Sequence, residues 1–175
     1  MLNQQSYTVR KAKPVEFEAV GQLMVEAYSQ LEGFPKAWQQ PTYYQLLADV
    51  GAFTKNPATE LLVAVSSEDK IVGAVVYFSA MQYYGSGGTA TKEANASGFR
   101  LLAVDAQTRG QGIGKLLTRE CIRKAKEKQH SHLMIHTTMA MLTAWKMYEK
   151  LGFSRAEELD FMQGELPVFG FRLVL

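Results

Sequence analysis

The sequence predicts an α/β fold of the α+β type, a single domain over residues 1–175 with about six to seven strands and about four helices. Three observations carry that expectation. Short β-type apolar runs alternate with stretches whose apolar residues recur at helical spacing. A glycine-rich turn joins one such run to one such stretch near the middle of the chain. No repeat, low-complexity tract or long linker divides the 175 residues, which suffice for one substantial core.

Tyr7 to Lys11 reads as a short strand. Pro14 opens a helix at the position where its missing N–H costs nothing. Val15, Ala19, Leu23 and Ala27 carry its stripe, widened by Val20 and Met24, and it ends in the region of Tyr28 to Gly33. A second helix is expected over about Thr42 to Phe53. The segment 28–56 is rich in aromatics: Tyr28, Phe34, Trp38, Tyr43, Tyr44 and Phe53. Two readings stay open for them, a core that they close, favoured for most, and the wall or lid of a binding pocket. Leu61 to Val65 and Ile71 to Phe78 form a hairpin across the polar stretch Ser66 to Lys70. Residues 80–97 read as a loop, with Gly85, Gly87 and Gly88 after two tyrosines. A central strand follows over about Gly98 to Val104, then a helix to about Lys128 with Ile113, Leu116, Leu117, Cys121 and Ala125 facing inward. His132 to Thr137 is a strand and Thr138 to Lys150 a helix stopped by Gly152. Phe153 to Leu159 and Val168 to Leu175 are expected to close the sheet.

Composition excludes several classes. A formal net charge of +2, with the charges of 119–128 read as a solvated helix face, gives no reason to expect nucleic acid. The single cysteine rules out an internal disulfide and fits a reducing, cytoplasmic setting; Cys121 lies on an apolar stripe and reads as core. His130, His132 and His136 have no carboxylate or thiol at ligand spacing, so no metal is expected. No apolar run is long enough to span a bilayer, and the N-terminal residues lack the basic start and apolar centre of a signal peptide, so no membrane association is expected.

The chemistry concentrates in 98–128. A strand, a glycine-rich turn and a helix present unpaired N–H groups and the positive end of the helix dipole to a phosphate. Two common phosphate motifs fail on spacing. A P-loop needs glycine where Arg109 stands and Ser or Thr where Leu116 stands, and the dinucleotide fingerprint needs glycine where Lys115 stands. What is present is Arg109-Gly110-Gln111-Gly112-Ile113-Gly114, preceded by Leu-Ala-Val-Asp and followed by Lys-Leu-Leu.

That segment resembles the pyrophosphate-binding motif of the GNAT superfamily of acyl-CoA-dependent N-acetyltransferases. Met141 to Phe153, ending Tyr148-Glu-Lys-Leu-Gly-Phe153, resembles the family's second signature. The order of elements fits throughout, and the specific residues lie within about 100–153. The resemblance implies a mixed central sheet, acetyl-CoA as cosubstrate without a metal, and acetyl transfer by direct attack to the primary amine of a small molecule or peptide. It implies that the backbone of Leu102, Ala103 and Val104 pairs with the pantetheine arm as an added strand. The N–H groups of Arg109, Gly110, Gln111, Gly112, Ile113 and Gly114 would hold the pyrophosphate, with Lys115 and Arg119 adding charge. Met141, Ala144 and Trp145 would wall the cofactor. Tyr148 would protonate the departing CoA thiolate, and the Val104 N–H would polarise the thioester carbonyl.

One departure stands out. Some members carry a glutamate base six residues before the position of Val104, and here that residue is Gly98. Glu26, Glu93, Tyr83 or a water chain remain as candidates for the base. Arg100 has two readings, a sheet-face salt bridge, which is favoured, and an anchor for an acidic acceptor. A non-catalytic acyl-CoA sensor or partner module is the alternative to an enzyme; Tyr148 and the intact glycine turn argue against it. A homodimer is left open.

Overall fold

The computed structural model describes residues 5–175; the first part of the stretch read for a signal peptide, residues 1–4, lies outside them. Eight strands form one mixed sheet: β1 (Tyr7–Lys11), β2 (Thr59–Ser66), β3 (Ile71–Phe78), β4 (Ala96–Val104), β5 (His132–Thr137), β6 (Ser154–Arg155), β7 (Phe161–Gln163) and β8 (Leu166–Val174). Their order is β1-β2-β3-β4-β5-β8-β6, with β7 paired to β8 alone. Only β4 and β5 run parallel; every other pairing is antiparallel.

Alternation along the strands divides the interior in two. Leu61, Val63 and Val65 face one side, where they meet Val20, Met24 and Tyr28 of α1 (Phe17–Ser29) and Tyr44 and Leu47 of α2 (Pro41–Ala48). Leu62 and Ala64 face the other, against Ile113, Leu117, Cys121 and Ala125 of α3 (Ile113–Glu127) and Tyr148 of α4 (Leu142–Lys150). The inward residues expected for the central helix are therefore largely its buried face. Cys121 is fully buried, and burial pushes its thiol well above the usual range, out of reach of nucleophilic chemistry.

Three expectations need correction. The second helix is split: α2 ends at Ala48, and Val50–Lys55 continues as a 3₁₀ turn. The Phe17 ring packs against Gly51, 2.4 Å from where a Cβ would stand, so the chain there follows packing rather than helical period. The helix expected from Thr138 begins as a separate 3₁₀ turn at Met139–Met141, before α4. Finally, Phe153 to Leu159 is not a strand beyond Ser154–Arg155. The Asp160 carboxylate accepts from the Gly170 N–H at 2.7 Å and from both terminal nitrogens of Arg155 at 2.9 and 2.7 Å. This side-chain tie replaces ladder bonds, turns the chain through Glu157–Leu159, and sends it into a β7–β8 hairpin that the composition did not signal.

Candidate functional site

The site follows from one irregularity in β4. Where β3 advances two residues, from Ala74 to Val76, β4 advances three, from Ala103 back to Arg100. Leu101 absorbs the extra residue at φ +58°, a left-handed conformation unusual for a leucine. The bulge bends β4 away from β5. The two strands pair only at Ala96, Ser97 and Gly98, opposite His132, Leu133 and Met134. From Phe99 to Val104, β4 keeps β3 on one side and has no strand on the other. The Asp105 N–H donates to the Val72 carbonyl at 2.8 Å, toward β3. Neighbouring strand amides point in opposite directions, so the Val104 N–H faces the open edge.

That edge lines a cavity of about 870 Å³. Its outer end is the glycine turn. Gly110 and Gly112 have φ of +78° and +82°, and a Cβ at either would meet nothing within 4 Å. These glycines are needed for their backbone conformation and because the space outside them is open. Gly112 caps α3 with no side-chain bond to the first-turn amides. Leu116 is the first residue whose N–H closes onto the Gly112 carbonyl, at 2.9 Å. The N–H groups before it are free for an anion. Arg109, Lys115, Arg119, Lys146 and Lys150 also line the cavity, and no Asp or Glu is among its lining residues. The cavity is thus a basin of positive potential.

The facing wall is formed by Met141, at the end of the 3₁₀ turn, and by Thr143, Ala144, Met147 and Tyr148 of α4. Tyr148 is 4% exposed, with its ring edge-on to Phe99 and tilted against Phe153. Burial raises its pKa well above the ordinary phenol value, so it holds its proton.

The inner end is built from side chains. Tyr28 of α1 and Leu31 just beyond it enter the wall, as do Arg100 and His136. The bulge places both Arg100 and Leu101 on the α1 face. Arg100 lies over the Phe53 and Tyr84 rings at 6.0 and 5.8 Å, and its Nη1 donates to the Tyr84 carbonyl at 2.9 Å. The favoured sheet-face salt bridge for Arg100 is not formed: among the described residues no carboxylate pairs with it. His136 Nε2 lies 2.8 Å from the Leu159 carbonyl, so it carries the proton and donates. Nδ1 then accepts from the Tyr84 hydroxyl at 2.9 Å. Burial lowers the His136 pKa, the Leu159 bond opposes this, and the Arg100 charge lowers it again.

Gly98 has a packing reason. A Cβ there would stand 2.8 Å from the Tyr84 ring and 2.9 Å from the Met81 sulfur. Tyr84, fully buried, fills the space a side chain would take. None of the three proposed bases lines the cavity. Glu26 is exposed on α1, Glu93 is paired with Arg172 at 3.1 Å, and Tyr83 lies in the 3₁₀ turn before Tyr84. The three histidines are dispersed on hydroxyl or carbonyl partners. Among the described residues no three His, Cys, Asp or Glu side chains gather as a metal site.

The family model described as the acetyltransferase (GNAT) family matches residues 21–153. The chain belongs to this family. Among GNAT-fold structures, an acetyltransferase of the GNAT family from Staphylococcus aureus Mu50 superposes with a TM-score of 0.73 at 17% identity, covering 97% of this chain and 99% of that one. The PaiA N-acetyltransferase of Thermoplasma acidophilum, in complex with coenzyme A, gives 0.71 at 14% identity, covering 94% and 98%. In sequence, the chain is 29% identical over 114 residues to the N-acetylaspartate synthetase of Danio rerio, 65% of this chain but 36% of that protein. It therefore spans about a third of the length of that relative.

Within the GNAT frame, most of the expected residues converge. Leu102, Ala103, Val104, Arg109, Gly110, Gly112, Ile113, Gly114, Lys115, Met141, Ala144 and Tyr148 line the one cavity. Two do not. The Gln111 side chain is exposed and meets the Tyr7 hydroxyl. Trp145, expected against the cofactor, points the other way: its ring packs on Phe169 and Phe171 at 5.3 and 4.9 Å, and its Nε1 donates to Glu149. On α4 the neighbouring Ala144 and Met147 take the cavity face instead. Tyr28, one of the aromatics with two open readings, is both buried and part of the wall; Leu31 and His136 were not anticipated as lining residues. They come from elements distant in sequence, and no local motif marks them.

Proposed function

We propose that the chain is an acetyl-CoA-dependent N-acetyltransferase acting on a primary amine of a small molecule or peptide by direct attack. The observation that carries this reading is the continuity of an unpaired β4 edge with a free helix N-terminus in one cation-lined cavity. The residues present fit acetyl-CoA. The open edge offers strand-type bonds to the pantetheine amides through Leu102 and Val104. The turn Arg109 to Gly114, with no side chain over Gly110 or Gly112, suits a pyrophosphate. Lys115 and Arg119 supply counter-charge.

Acetyl-CoA supplies an activated acetyl carbonyl and a thiol leaving group. The Val104 N–H, aimed at the open edge, polarises that carbonyl. Tyr148, kept protonated by burial, donates its proton to the departing sulfur. The new N–C bond forms as the C–S bond breaks; the amine proton leaves to water, and a proton from water returns to the Tyr148 oxygen. The cavity offers no carboxylate to take it. Instead, its low polarity and positive charge favour the neutral, nucleophilic amine. The lone thiol, Cys121, is buried in the core under α3, which supports direct transfer over an acyl-enzyme.

The reading assigns no role to nucleic acid or to a membrane; no helix among the described residues is long and apolar enough to cross one. A cytoplasmic setting suits the single thiol. The test is calorimetric titration of acetyl-CoA together with CoA release across amines, amino acids and peptides. Micromolar binding with amine-dependent release is expected. Absence of both overturns the proposal.

A further inference from the structure

We infer that the acceptor carries a carboxylate as well as its amine, and that Arg100 is the residue that binds it. This rests on the acetyltransferase reading above. The seven arginines fall into two groups. Arg10, Arg123, Arg155 and Arg172 are each paired with a carboxylate, all away from the cavity. Arg100, Arg109 and Arg119 have no carboxylate partner among the described residues, and all three line the cavity. Arg109 and Arg119 are exposed at the glycine turn, where the phosphates bind. Arg100 lies at the other end and is only partly exposed.

A cation in that position is costly without an anion. Its one hydrogen bond among the described residues, from Nη1 to the Tyr84 carbonyl, leaves the Nε and Nη2 donors unused by them. The Phe53 and Tyr84 rings hold the guanidinium plane, and Tyr28 and Tyr43 are close enough to feel its charge. A guanidinium fixed by aromatic faces with donors to spare matches the planar fork of a carboxylate. His136 adds no charge of its own: its Nε2–H is spent on Leu159 and its Nδ1 on Tyr84. The tyrosines are likewise neutral, since burial raises the pKa of each. Asp160, whose charge His136 also feels, is committed to Arg155 and the Gly170 N–H and does not line the cavity. Among the described lining residues of this end Arg100 is thus the one formal charge, and the matching substrate is an amino acid rather than a polyamine or a simple alkylamine. A diamine would bring a second cation against Arg100, with no carboxylate in the cavity to receive it.

The test compares amino acids with their carboxamides, which keep the amine and side chain but lose the negative charge. With saturating acetyl-CoA, at least one amino acid of the panel is expected to be acetylated roughly 10- to 100-fold more efficiently than its carboxamide, mostly through KM. Calorimetric titration of the same pair into protein held with CoA should show the same preference without turnover. Arg100→Met should erase the preference and leave acetyl-CoA affinity unchanged, while Arg100→Lys keeps part of it. Equal use of acid and carboxamide, preference for diamines, or a preference that survives in Arg100→Met overturns the inference and leaves the acetyltransferase reading standing. Acetyl-CoA binding with no amino acid acetylated also overturns it. Loss of acetyl-CoA binding in the unaltered protein would instead fail the underlying reading.

Discussion

The two ends of the cavity are built from different material. The outer end is backbone: a strand edge, two glycines in left-handed conformation, and the unbonded amides that start α3. The inner end is side chain: Tyr28, Arg100 and His136, backed by Phe53 and Tyr84. A backbone site depends on chain direction and on the absence of Cβ atoms, so it can be specified by a short local motif. A side-chain site is assembled from distant elements, and each residue can be exchanged without disturbing the strand beneath. The donor substrate of such a fold is therefore fixed by a few consecutive residues and the acceptor by scattered ones.

Variants at each end should break this contrast in different ways. The largest effect is expected from Gly112→Asp, which sets a negative side chain over the proposed phosphate site on a residue at φ +82°. Acetyl-CoA affinity should fall at least about 100-fold with far-UV circular dichroism unchanged. Tight binding by that variant would remove the phosphate assignment. At the junction of the two ends, Tyr148→Phe should lower kcat by roughly 100-fold and change the acetyl-CoA Kd by less than about 3-fold. Equal kcat in the two proteins would refute the proton-donor role. At the inner end, Gly98→Glu restores the residue some relatives use as a base. It should give no gain in kcat and should destabilise the fold by about 3 kcal/mol, because the new side chain meets Tyr84 and Met81. An increase in kcat would show that the Tyr84 position is adaptable.

A smaller effect, away from both ends, serves as control. Arg10 donates to Glu16 at 2.9 and 2.7 Å and holds its carboxyl down at about 2. A depressed carboxylate contributes stability above its unfolded value of about 4.3, and that stability is lost as pH falls toward the folded value. Glu16→Gln should cost about 1 kcal/mol at pH 7, and the gap to the unaltered protein should close between about pH 4 and pH 2 in denaturant titrations. Turnover at pH 7 should not change.

The same contrast explains how much could be read in advance. β1 and β5 were expected at their observed bounds, and the hairpin, central strand and α3 within about two residues, because period and turn chemistry are local. The glycine turn of Arg109 to Gly114 and the helix start behind it were legible for the same reason. Trp145 was misplaced because the helical period alone does not say which of two adjacent faces meets the cavity. Gly98 could be read as a missing base but not as the seat of Tyr84, a contact with a residue fourteen positions earlier that depends on how the 80–97 segment folds. The sheet-face salt bridge favoured for Arg100 failed in a similar way, since partner choice is made in three dimensions. The closing segment after Phe153 was overruled by the carboxylate of Asp160, whose bonds to Gly170 and Arg155 compete with the ladder.

The bulge at Leu101 has a further consequence, for the protein between turnovers. A strand stretch with one side unpaired is a template for edge-to-edge association. A cofactor lying along β4 would fill that side, so occupancy and conformational stability are linked by mass action: ligand at 100 times its Kd adds about 2.7 kcal/mol. A cosubstrate bound there would act as a chaperone for its own binding edge.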